Sequence, residues 1–88
     1  MKYQVRLADR AARDLDRLDR DTQKRMLVRL EQLAENPFDP RLSRPLTGLG
    51  DLRRSRVGGW RIIFSANQSE HALEIVTLER RGQVYGRI

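Results

Sequence analysis

Leu52-Arg53-Arg54-Ser55-Arg56-Val57-Gly58-Gly59-Trp60-Arg61-Ile62-Ile63-Phe64-Ser65-Ala66 is the stretch that decides the fold. Residues 52–57 alternate, with Leu52, Arg54 and Arg56 on one side and Arg53, Ser55 and Val57 on the other. Residues 60–66 alternate again, with Trp60, Ile62, Phe64 and Ala66 opposed to Arg61, Ile63 and Ser65. A period of two marks a strand, and Gly-Gly between two such runs marks a tight hairpin. With the Trp60 set turned to the core, Arg61 stands on the other face. Across the hairpin, Arg54, Arg56 and Arg61 then project together.

Working outward, Asn67–His71 reads as a second turn and 72–79 as a third strand. Upstream, residues 36–50 hold all three prolines and no periodicity, a long connection that Phe38, Leu42, Leu46 and Leu49 should pin to the core. A connection of that length in a small domain suggests a function. Before it, Met26, Leu27, Leu30, Leu33 and Ala34 stripe a helix over 21–35, which Asp19 or Asp21 can cap and Asn36-Pro37 ends. Ala8, Ala11, Ala12, Leu15 and Leu18 predict a helix over 9–18, with Asp9 at its start. Tyr3, Val5 and Leu7 predict a strand over 3–7. The order β-α-α-β-β-β gives an α+β fold, a two-helix hairpin on one face of a small, largely antiparallel twisted sheet, and residues 1–88 form a single domain.

Composition narrows the chemistry. The 88 residues contain no Cys, which excludes disulfides, thiolate metal sites and a Cys nucleophile. No apolar run approaches the ~18 residues of a membrane span, and the first residues lead directly into structure, so neither a signal peptide nor a membrane partner is expected and the cytoplasm is the expected location. The single His71 falls in a turn, no metal-ligand spacing occurs, and the serines lack a partner base. No cofactor is expected.

Charge carries the rest. Of 18 basic residues, 16 are Arg, and the net charge of +6 points to a polyanionic partner. Arg presents a planar fork that grips phosphate bidentately, where Lys is a point charge. The layout is uneven. Residues 1–36 hold nine bases and seven acids, with Asp9–Arg13, Asp16–Arg20 and Asp21–Arg25 at helix-pair spacing. Residues 41–61 hold six arginines (41, 44, 53, 54, 56 and 61) and one acid, Asp51. Segregation of Arg from acid favours a phosphate-binding surface over a solvated face. A second basic cluster combines Arg80, Arg81 and Arg87 with Tyr85, which could stack on a base or plug the core. With no paired carboxylates expected on the basic face, catalysis would rest on Arg and Tyr.

Pro-Leu-Thr-Gly-Leu (45–49), Leu-Arg-Arg-Ser-Arg-Val-Gly-Gly-Trp-Arg-Ile-Ile-Phe (52–64) and Leu-Glu-Arg-Arg-Gly-Gln-Val-Tyr (78–85) resemble the RelE/ParE superfamily of bacterial toxins. The resemblance extends over nearly the whole chain and favours the RelE-like branch. It implies the toxin of a type II toxin–antitoxin pair, a metal-independent endoribonuclease that cuts mRNA on the ribosome by attack of a 2′-hydroxyl on the adjacent phosphate. By resemblance, Arg61 and Arg81 would hold the scissile phosphate and Tyr85 would stack on a base or activate the hydroxyl. Arg54 and Arg56, also catalytic by resemblance, would position the backbone and could share proton transfer. RNA contacts would come from Arg53, Arg54, Arg56, Arg61, Arg80, Arg81 and Arg87. The implied partners are a cognate antitoxin protein, the ribosome and mRNA.

The chain departs from the pattern at several positions. Arg54 and Arg56 replace frequent Lys, which weakens a general-base role because Arg does not deprotonate. Glu79 replaces a frequent Gly, Arg80 a frequent His, and Gly82-Gln83 the usual Arg-Glu. With three residues after Tyr85, the C-terminal helix of some relatives is not expected. Two other functions compete: a ParE-like toxin that inhibits DNA gyrase without cutting RNA, and a plain RNA-binding module.

Overall fold

A computed structural model describes residues 1–80. The deciding stretch folds as its alternation dictates. Strands β3 (Arg53–Val57) and β4 (Trp60–Asn67) pair antiparallel through a two-residue turn, with Val57 opposite Trp60 and Arg56 opposite Arg61. Gly58 takes φ +59, the positive value that the first position of a II′ hairpin turn demands. It also has the Arg25 guanidinium packed where a Cβ would sit.

The remaining elements are β1 (Gln4–Leu7), α1 (Asp9–Arg17), α2 (Arg20–Glu35), β2 (Arg44–Pro45) and β5 (Ala72–Arg80). The sheet order is β1-β5-β4-β3-β2, antiparallel except for the parallel edge pair β1–β5. Two helices on one face of this sheet give the expected α+β architecture, and boundaries fall within one residue of the expected ones. The short β2 inside the 36–50 connection is additional. It pairs Arg44 with Arg54 and Pro45 with Arg53, and two residues carry no detectable period.

The core lies between the helices and the sheet. Met26, Leu30, Leu33 and Ala34 of α2 meet Val57, Ile62, Phe64, Leu73, Ile75 and Leu78 of the sheet. The stripe is narrower than its sequence pattern: Leu27 is half exposed, and so are Val5 and Leu7 of the edge strand. The 36–50 connection is held differently from expectation. Phe38 and Leu49 are exposed, while Pro37 is fully buried and its carbonyl accepts a hydrogen bond from Ser43 Oγ at 2.6 Å.

Asp14 of α1 closes the part of β5 that β1 does not cover. Its carboxylate accepts from Thr77 Oγ1 at 2.9 Å and from the Leu78 N–H at 3.1 Å. An unpaired strand edge is thereby satisfied. None of the three expected helix pairs is among the described ion pairs, and Arg10–Asp14 forms instead. Leu18 is extended, which breaks the helical spacing between Asp16 and Arg20. Arg25 is drawn to the Gly58 turn, away from Asp21.

Candidate nucleic-acid interface

Pairing sets which side chains share a face. Arg54 stands opposite Ile63 and Arg56 opposite Arg61, so the structure brings Arg54, Arg56 and Arg61 to one side of the sheet. Ser55, Val57, Ile62 and Phe64 turn to the other side, which the helices cover. Arg56 is exposed, and Arg54 and Arg61 are partly covered.

Arg61 is engaged. Its Nε donates to Glu79 Oε1 at 2.9 Å and its second terminal nitrogen lies 2.8 Å from the same oxygen. The two side chains retain only 13% and 8% of their exposure. The basic face thus contains a carboxylate, Glu79, paired with Arg61. A β-bulge puts it there. Ile63 pairs with Thr77 but Phe64 pairs with Ile75, which leaves Val76 as the extra residue. Strict alternation from Ile75 would send Glu79 to the core and Leu78 outward. The bulge reverses them, so Leu78 is buried in the core and Glu79 meets Arg61.

Two other expected contact residues lie elsewhere. Arg53 sits on the helix side, where its Nε donates to Ser43 Oγ at 3.1 Å and its guanidinium lies 5.1 Å from the Phe38 ring centre. Arg80 pairs with Trp60 and stacks over its ring at 5.6 Å, also away from Arg54, Arg56 and Arg61. Arg81, Tyr85 and Arg87 lie outside the described residues. His71 lies in the expected turn, where its ring stacks on Tyr3 at 3.9 Å and its Nε2 lies 2.8 Å from the Met1 carbonyl.

Beyond these residues, the basic surface continues around the β3 edge. β2 covers only Arg53 and Arg54, and beyond it Arg29 of α2 occupies the edge. One Arg29 terminal nitrogen donates to the Arg56 carbonyl at 2.6 Å and to Ser55 Oγ at 2.9 Å, while Nε donates to Gln32 Oε1 at 3.0 Å. Arg41 is clamped by Asp39 through Nε at 3.1 Å and a terminal nitrogen at 2.8 Å. That contact, with the Arg41 N–H, holds the Asp39 carboxyl below its usual range. Sequence reasoning counted Arg41 and Arg44 in the patch but left Arg29 on a solvated helix face. Its role follows from packing of α2 on β3, which no spacing reports. Among the described residues, no group of three or more His, Cys, Asp or Glu could hold a metal. No helix among them is long and apolar enough to cross a membrane.

The model of the ParE toxin of the type II toxin–antitoxin system parDE matches residues 5–85. The chain belongs to the RelE/ParE superfamily of toxins. It is the toxin of a type II toxin–antitoxin system. Solved structures agree with the fold. The RelE–RelB complex of Pyrococcus horikoshii OT3 shows 29% identity over 96% of this chain and 100% of that one, with a TM-score of 0.77. RelBE2 of Mycobacterium tuberculosis shows 24% identity over 92% and 100%, also at 0.77. The isolated E. coli RelE toxin shows 17% identity over 97% and 93%, at 0.79. A comparison with curated proteins finds no match. Within this superfamily, the toxin's Arg54, Arg56 and Arg61 occupy the strands that the sequence motifs mark.

Proposed function

We propose that this toxin is a metal-independent, ribosome-dependent mRNA endoribonuclease, acting in the cytoplasm. The observation that carries the reading is the register of β3 on β4, which gathers Arg54, Arg56 and Arg61 on one face, where Glu79 pairs with Arg61. In the reaction, the 2′-oxygen bonds to the adjacent phosphorus and loses its proton, and the bond to the 5′-oxygen breaks as that oxygen gains one. Arginines serve this chemistry by opposing charge on the phosphoryl oxygens. They are poor bases. Arg61 and Arg81 would hold the phosphate, Arg54 and Arg56 the flanking backbone, and Tyr85 a base or the attacking hydroxyl. A phosphate at Arg61 competes with Glu79 for the guanidinium, so that ion pair bears on how readily the site is loaded.

The cognate antitoxin is a protein whose toxin-binding segment is acidic, in keeping with the toxin's charge. The solved relatives include complexes with RelB antitoxins.

Induction of wild type and Arg81→Ala, followed by primer extension on cellular mRNA, tests the activity. Cuts in frame near gene starts with wild type, absent with Arg81→Ala, are expected. Unchanged growth arrest by Arg81→Ala would overturn the catalytic assignment. A second reading, inhibition of DNA gyrase, is favoured by the ParE identity of the matching family model and by the engagement of Arg61 with Glu79. Intact mRNA together with a supercoiling defect would select it.

A further inference from the structure

Beside the β3 edge lies a cleft of about 190 Å³ walled by Arg29, Arg41, Arg44, Arg54 and Arg56, with Leu42 at its side. We propose that this cleft is a second phosphate-binding site, which holds a backbone phosphate of the bound RNA outside the reacting linkage. The proposal rests on the nuclease reading only for the identity of the strand as RNA.

Charge is the first argument. Five guanidinium groups line the cleft, and the Asp39 carboxylate clamped beside them pairs with Arg41. Among the described residues, Arg29, Arg44 and Arg56 take part in no ion pair. Such a concentration of like charge is costly unless an anion shares it.

Preorganisation is the second. Every described bond that holds Arg29 goes to a neutral acceptor, namely Gln32, Ser55 and the Arg56 carbonyl. The guanidinium is therefore fixed with its full charge, and the terminal nitrogen not used in those bonds is left for a ligand. The opposite wall is equally fixed. The Leu42 and Ser43 N–H groups donate to the Asp39 carbonyl at 2.9 and 3.0 Å, and buried Ser43 is tied to Pro37. A rigid fork of this kind matches phosphate geometry.

Size is the third. The cleft is smaller than the ~300–1,000 Å³ of small-molecule pockets, so it suits one anionic group and not a whole nucleotide. Continuity is the fourth. Arg54 and Arg56 line the cleft and also stand on the face with Arg61. A strand whose phosphate lies near Arg61 therefore meets the cleft by passing over the β3 edge.

The test pairs Arg44→Glu, an exposed position on the two-residue β2, with Arg17→Glu, an exposed helix position carrying the same charge change. Affinity for a single-stranded RNA octamer is measured on the purified toxin. In parallel, inorganic pyrophosphate is titrated while the Arg29 Nε–H and the 42–44 amides are followed by NMR. We expect Arg44→Glu to weaken RNA binding about tenfold or more and Arg17→Glu less than threefold, with pyrophosphate shifting the Arg29 signal in wild type and not in Arg44→Glu. Equal effects of both variants, or pyrophosphate shifts confined to other residues, would overturn the proposal. So would a loss of poly-aspartate binding with RNA affinity unchanged, which would give the cleft to an acidic protein segment. Retained RNA binding at the cleft in a toxin that makes no mRNA cuts would uphold the site and sink only the nuclease reading.

Discussion

Arg61 and Glu79 are worth most when considered as a pair. Both are largely withdrawn from water, and one carboxylate oxygen takes two guanidinium contacts. Removing one member of a buried pair strands the other charge, which costs ~3–5 kcal/mol in general. Arg61 keeps 13% of its side-chain exposure, so Glu79→Gln should cost no more than about 3 kcal/mol, the low end of that range. Arg61→Leu/Glu79→Leu should restore most of the loss, because no charge is left unpaired. Urea unfolding of the three variants checks this, and a double variant no more stable than Glu79→Gln would show the two are not coupled. Asp39 is a simpler case. Its folded carboxyl titrates below the unfolded value, chiefly through the Arg41 side chain. The contribution to stability is therefore present above the unfolded value of ~3.9 and is lost as pH falls through the lower folded value. Arg41 is exposed to solvent, so the effect is small. A carbon-detected titration should give Asp39 a midpoint below the usual range, and Arg41→Ala should raise it.

The β3–β4 hairpin is the element whose sequence spoke most clearly, because period two and a Gly-Gly turn point to the same register. The two glycines are not equivalent. Gly58 combines φ +59 with close contact to Arg25, whereas Gly59 has open space where a Cβ would be built. Gly58→Ala should destabilise the toxin by more than about 1 kcal/mol, and Gly59→Ala should fall within about 0.5 kcal/mol of wild type. Thermal melts decide, and equal effects would contradict the II′ geometry. Strand β5 shows where legibility ends. Its extent was clear from composition, but the Val76 bulge was not, since a bulge leaves the residue types unchanged and only shifts their phase. That one residue decides whether Glu79 faces the core or Arg61. β2 was missed for a plainer reason. Arg44-Pro45 is too short to show a period, and its pairing is a tertiary event. Arg29 was missed because its bonds span 26 and 27 residues.

For the whole molecule, charge layout outranks charge total. The net +6 says only that an anion is welcome. The helical part is nearly balanced, and the strand part places Arg54, Arg56 and Arg61 on one face with Arg44 at the sheet edge. If that layout is what binds RNA, the salt dependence of affinity counts the arginines there and ignores those elsewhere. Single-stranded binding loses about 0.7 in log–log slope per phosphate neutralised. About five phosphates contacted across this face and cleft give roughly −3.5, and loss of Arg54 and Arg56 to Gln, two of those contacts, gives roughly −2.1. Arg13→Gln with Arg17→Gln, on α1, removes the same charge from the total and should leave the slope near −3.5. Affinities for one RNA oligomer across a series of salt concentrations supply all three values. A slope that falls equally in both double variants would mean the toxin's overall field does the binding. The helix arginines would then belong to the interface, contrary to the balanced charges around them.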